Sequence, residues 1–161
     1  MTVEEYNDSV DKYSDGLYRF VLKNIRNDEQ AKDIIQETFE KLWVKVSEVS
    51  AAKVKSYLFT TAYHTMIDVI RKESRKENFD SIPPVEDIHT EQYSDLQEVL
   101  SQAIEKLPEA QRSVILLRDY EGYSYSEISE ITGLSEAQVK VYIYRGRLSL
   151  KSYLVKMENI I

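Results

Sequence analysis

Helix breakers are scarce in this chain, and two of them stand side by side at Pro83-Pro84, the feature that most limits how it can fold. With 4 Gly and 3 Pro among 161 residues, long helices are favoured over a many-turned sheet fold. Around the proline pair, residues 80–93 (DSIPPVEDIHTEQY) lose all apolar periodicity and carry acids without Lys or Arg. Such a stretch reads as a flexible acidic linker. The expected fold class is all-α, with two small helical domains, 1–79 and 94–161, on either side of linker 80–93.

Apolar spacing places the helices. Thr2 and Glu5 form a T-x-x-E capping box ahead of a first helix running to about Ile25, with a possible break at Ser14-Asp15-Gly16. Asp28 is the expected cap of a second helix. In it Ala31, Ile34, Ile35, Thr38, Phe39, Leu42, Trp43 and Val46 make one stripe at helical spacing. A third helix, from Val54 to Lys76, places Tyr57, Phe59, Tyr63 and His64 ahead of the basic RKESRK at 71–76. Rings beside cations suit single-stranded nucleic acid, where bases stack and cations track the backbone; the same pattern also describes a core face with a solvated basic end. Beyond the linker, one helix stops at Pro108 and another runs from Glu109 to about Tyr120, ended by Gly122.

The segment 125–144 (YSEISEITGLSEAQVKVYIY) has the spacing of a helix-turn-helix. A short helix from Ser126 carries Ile128 and Ile131. Gly133 suits the left-handed turn, and Ser129, four residues earlier, is small enough for a close crossing. Ser135 and Gln138 form a second capping box. Val139, Ile143, Gly146 and Leu150 then face inward, so Gln138, Lys140, Val141, Tyr142 and Arg145 face out, where a recognition helix meets base edges. Arg147, Lys151 and Lys156 are placed for phosphates.

Net charge is −7, yet Ala137 to Met157 holds five basic residues and no acid. Local charge governs a DNA contact, because screening limits its reach to about 8 Å at physiological salt. There is no cysteine, and His64 and His89 are far apart in sequence. These counts argue against thiol, disulfide and His-rich metal chemistry. No Gly-rich phosphate loop occurs, so neither an enzyme nor a small-molecule substrate, cofactor or metal is expected. No signal peptide or membrane span is legible, and a cytoplasmic location is expected.

Four segments resemble the bacterial extracytoplasmic-function sigma factors of the sigma-70 family. Asp28 to Trp43 (DEQAKDIIQETFEKLW) is similar to the family's signature helix, and Ser56 to Arg71 to the helix that follows it. Leu107-Pro108 through Arg118, and then the helix-turn-helix, resemble its carboxyl-terminal module. The chain departs from the pattern with Tyr57 for tryptophan, Thr61 for isoleucine, His64 for asparagine and Tyr142 for arginine.

The resemblance implies a promoter-specificity subunit of bacterial core RNA polymerase. Asp33, Gln36, Glu37, Leu42 and Trp43 are the positions that would dock on the polymerase clamp helices, with Leu42 and Trp43 readable as either core or interface. Lys53, Tyr57, Phe59, Tyr63, His64, Arg71 and Arg75 would meet the −10 element as it melts. Gln138, Lys140, Val141, Tyr142, Arg145, Arg147 and Lys151 would bind the −35 duplex, with the same module touching the polymerase flap. It also implies an anti-sigma factor, membrane-bound in many members. The alternative reading is a helix-turn-helix regulator that works without polymerase.

Overall fold

The computed structural model describes residues 1–80 and 96–158, the side chains of 77–80 aside, and no strand occurs among them. The Thr2 capping box opens α1 (Val3–Ile25): the hydroxyl accepts from the Glu5 amide at 3.1 Å, and the Glu5 carboxylate accepts from the Thr2 amide at 3.0 Å. α1 runs unbroken through 14–16. Leu17, Phe20 and Val21 are buried just beyond it, and their packing outweighs the roughly 1 kcal/mol that a helical glycine costs. Asn27, rather than Asp28, caps α2 (Asp28–Val44), its side chain accepting from the Gln30 amide at 3.0 Å. Asp28 instead accepts from the Tyr18 hydroxyl and pairs with Lys32 at 3.0 Å.

α3 (Val54–Asp80) extends past the expected end at Lys76. Residues 81–93 of the expected linker lie outside the described residues. α4 (Leu96–Glu105) and α5 (Glu109–Ile115) flank Pro108 as anticipated. The helix then widens into a π-helical turn, Leu116–Tyr120, closed by the Glu121 amide on the Leu116 carbonyl at 3.1 Å. Nothing in the apolar spacing foretold this turn.

α6 (Tyr125–Thr132) starts one residue earlier than expected, on a Ser124–Glu127 capping box. Gly133 follows at φ 78°, the left-handed region that a side chain disfavours. Ser129 contributes more than small size, because its hydroxyl donates to the Leu134 carbonyl at 2.6 Å and ties the turn down. α7 (Glu136–Glu158) buries Val139, Ile143 and Gly146, while Leu150 is only half-buried. At Gly146 the helix crosses α5 so closely that a Cβ would lie 2.2 Å from Ile115 Cδ1.

The two helical modules share one continuous apolar core. Leu17, Phe20, Leu42, Leu58 and Phe59 of the first are joined to Leu116, Leu117, Ile128 and Ile143 of the second. Polar contacts edge the joint. Arg19 grips the Glu121 carboxylate with two hydrogen bonds, at 2.7 and 2.8 Å. The Asn24 side-chain carbonyl accepts from Arg112 Nε at 3.0 Å and from the Ser113 hydroxyl at 3.3 Å. Lys55 pairs with Glu127, and Lys23 Nζ stands 3.8 Å above the Tyr120 ring. The modules are therefore packed face to face, a state the sequence left open.

Candidate nucleic-acid interface

The helix-turn-helix presents its outward face free of the first module. Gln138, Lys140, Val141 and Arg145 are exposed and Tyr142 is half-buried. Gln138 is already engaged in capping α7. Its side-chain carbonyl accepts from the Ser135 amide at 3.0 Å, so only its NH₂ is left to donate to a base. Arg145 has no such tie among the described contacts.

Arg147 behaves differently from its expected role as a free phosphate contact. It lies about 180° around α7 from Gln138 at 3.6 residues per turn. Asp119, carried on the π-helical turn, holds its guanidinium from Nε at 3.2 Å and Nη2 at 2.5 Å. Arg147 retains N–H groups toward solvent, but its charge is already partnered. Lys140 turns toward the same side, with Nζ 5.5 Å from the Tyr125 ring, which Arg118 also approaches at 4.5 Å. Lys151 is exposed on that side too.

On the first module, the expected −10 residues fall into three groups. Lys53, His64, Arg71 and Arg75 are exposed. Tyr57 and Tyr63 are half-buried, and burial pushes the Tyr63 hydroxyl above its ordinary pKa. Phe59 is 1% exposed, packed against Phe20 and Tyr123, so in this arrangement it is a core ring and touches no partner. The reason is register. Phe59 and Leu58 point to opposite flanks of one wide apolar face, and both modules converge on it.

Tyr57 lies between two grooves. One, of about 760 Å³, runs between α2 and α3 past Glu37, Glu40, Tyr57, Thr61 and His64. The other, of about 590 Å³, is lined by Lys53, Ser56, Tyr57 and Thr60, with Glu130 of α6 as its far wall.

The expected docking helix also splits. Asp33, Gln36, Glu37 and Trp43 share an exposed flank of α2. Leu42 is fully buried, so it holds that flank up from beneath and does not contact a partner. Trp43 is 49% exposed although it borders Tyr6, whose ring meets it edge-on at 5.1 Å. Val44, next to it in the chain, is exposed as well. Among the described residues no cluster of His, Asp and Glu could hold a metal ion, and no helix is long and apolar enough to cross a membrane.

Residues 10–76 match the model for Sigma-70 region 2, and residues 97–150 match that for Sigma-70, region 4. The chain is 30% identical to the ECF RNA polymerase sigma factor RpoE of Cereibacter sphaeroides, over 75% of this chain and 70% of that one. The chain belongs to the extracytoplasmic-function sigma factors. Similar relatives include SigM of Bacillus subtilis, 29% identical over 94% of both chains. SigE of Mycolicibacterium smegmatis is 31% identical over 94% of this chain, which spans 62% of that relative's length. The fold matches the sigma factor RpoE solved with the anti-sigma factor NepR from Bartonella quintana, with TM-score 0.77, 24% identity and coverage of 94% of this chain and 98% of that one. It also matches CnrH solved with the cytosolic domain of CnrY, with TM-score 0.68, 20% identity and coverage of 94% and 88%. The sigma factor is a promoter-directing initiation factor and not an enzyme.

Lys55, Asp119, Tyr123 and Glu127 do not stand out in the sequence. The Ser124-x-x-Glu127 box is a legible helix start, but no local pattern joins Lys55 to a carboxylate 72 positions away.

Proposed function

We propose that this sigma factor brings bacterial core RNA polymerase to its promoters through three separate faces. The exposed flank of α2, with Asp33, Gln36, Glu37 and Trp43, docks on the clamp helices. The N-terminal half of α3 and the loop before it, with Lys53, Tyr57 and His64, meet the −10 element as its strands part. The N-terminal half of α7 reads the −35 duplex, with Arg145 and Val141 on base edges, the free NH₂ of Gln138 beside them, and Lys140 and Lys151 on phosphates. The observation that carries the assignment is the bare outer face of α7, held by two capping boxes and a tied turn.

Domains 1–79 and 94–161 are the two working units, and the acidic stretch 80–93 is the tether that spaces them. The protein acts in the cytoplasm and is held in reserve by an anti-sigma factor, a reading supported by the anti-sigma complexes of RpoE and CnrH. With net charge −7, affinity for promoter DNA is low for the free chain, since most of it comes from phosphate neutralisation, and polymerase supplies the remaining grip.

The test is to mix the chain with core polymerase, look for co-elution, and map transcripts from pooled genomic fragments. Co-elution with discrete start sites supports the reading. No association, together with tight duplex binding by the chain alone, would replace it with a polymerase-independent regulator.

A further inference from the structure

The joint between the modules is most specific at the N-terminal end of α3. Lys55 lies two residues beyond the exposed Lys53 and beside the groove lined by Tyr57 and walled by Glu130. Its ammonium serves two partners from the second module at once. Glu127 takes it as an ion pair, and the Tyr123 ring lies beneath it with the centroid 4.5 Å away. The same Tyr123 ring meets Phe59 edge-on, with centroids 5.0 Å apart and planes at 90°.

One carboxylate and one ring on a single cation, against an aromatic floor, reproduce what single-stranded nucleic acid offers a protein: a phosphate for the cation and a base for the rings. The charges complement one another along this part of the seam. The second module brings Glu121, Glu127 and Glu130, and the first brings Arg19, Lys53 and Lys55. On the −10 reading above, on which this inference rests, that is the face a melted strand would need.

We propose that Lys55 is a further contact for the melted −10 strand, and that Tyr123 and Glu127 occupy it in the closed chain as an internal stand-in for a nucleotide. Single strand and second module then compete for one ammonium. Opening uncovers Lys55 and the edge of Phe59 that Tyr123 covers, so the closed chain binds a single strand weakly in proportion to how rarely it opens.

The experiment uses the full chain without polymerase, a labelled random-sequence single-stranded oligonucleotide and low salt. The variant is Tyr123→Ala with Glu127→Gln. Glutamine keeps the carbonyl that caps α6 at Ser124 while losing the charge that holds Lys55. Helical circular dichroism checks that each variant folds. Binding roughly tenfold tighter than the parent is expected, the gain that follows if closed chains outnumber open ones by that ratio. Adding Lys55→Gln to the double variant should remove most of the gain. It should also flatten the dependence of log affinity on log salt by about 0.7, one single-strand phosphate.

A double variant no tighter than the parent overturns the competition. A gain that Lys55→Gln leaves intact overturns the contact, and absence of binding by both proteins overturns both. Because polymerase takes no part, failure here is separate from failure of co-elution. A chain that passes this test and ignores polymerase would leave the ammonium competition standing and remove the sigma reading.

Discussion

The outer face of α7 and the N-terminal half of α3 are the two surfaces assigned to promoter DNA, and the closed molecule treats them oppositely. The α7 face is bare: Gln138, Val141, Arg145 and the 65% exposed Tyr144 touch nothing from the first module among the described contacts. The α3 face is shared. Phe59 lies under Tyr123, and Lys55 is held by Glu127. Similar chemistry, rings and cations on a helix, is thus free in one place and partnered in the other. The difference comes from the pairing of α3 with α6 across the joint. On the proposed assignment, readiness for duplex and readiness for single strand are separate properties of this chain.

The largest expected effect sets two aromatic residues against each other. Phe59→Ala removes a fully packed ring and should cost about 3–5 kcal/mol of unfolding free energy. Tyr144→Ala on the bare face should stay within about 0.5 kcal/mol. Chemical denaturation of the whole chain reads both. A small loss at Phe59 would mean that the seam under α6 is loosely packed and that the α3 face is not covered in solution.

Arginines on α7 sharpen the comparison within one helix. If Arg145 reads a base, Arg145→Ala should weaken promoter binding by holoenzyme by about 1–3 kcal/mol, and unequally across −35 sequences. Arg147→Ala should cost less and act evenly, because Asp119 already holds that guanidinium. Equal losses on every sequence for both residues would make Arg145 a phosphate contact too.

The bare face is readable from the sequence and the shared one is not. Gly133, the Ser135–Gln138 box and the buried Val139 and Ile143 follow from local spacing, so the geometry of α7 is visible without coordinates. Capping and turn chemistry act over three or four residues, the range in which a sequence can be read directly. Phe59 reads as a DNA contact and is a core ring, because its burial depends on Tyr123, 64 positions away. The bidentate grip of Asp119 on Arg147 depends on a π-helical turn that leaves the apolar pattern unchanged. At Gly16 the local signal for a break is real, and the packing of neighbouring residues overrides it.

Smaller effects should come from the edge of the joint. The chain has no cysteine, so Asp11→Cys and Ser152→Cys give two label sites for an energy-transfer distance between the modules. Arg19→Glu alone should shift the population toward open, and Arg19→Glu with Glu121→Arg should shift it back. The coupling between the two should lie within about 0.5–3 kcal/mol, since Arg19 is half exposed while the Glu121 side chain is only 6% exposed. A swap that fails to restore the distance would show that the apolar core of the joint holds it shut without help from this pair.

The smallest effect is the response to acid, and its sign can be worked out. The Lys55 hydrogen bond, followed by the Ser124 backbone amide, holds the Glu127 carboxyl below its usual pKa, against the opposing push of desolvation. Only the Lys55 part depends on closure, because the Ser124 bond lies within the second module and survives opening. A carboxylate with a pKa lower in the closed form favours closure fully above its open-state value, which the Ser124 bond already holds below the ordinary value near about 4.3, and loses that contribution as pH falls through the closed-state value. The label distance should therefore be flat from neutral pH down to about 5 and lengthen only in stronger acid. Asp28, also held low by Tyr18 and Lys32, titrates within the first module and leaves the distance unchanged. In Glu127→Gln the acid-dependent lengthening should shrink, because the group whose proton uptake is tied to opening is gone. A response unchanged by Glu127→Gln would assign the acid sensitivity to other carboxylates of the seam and reduce the Lys55 pair to a bystander in closure.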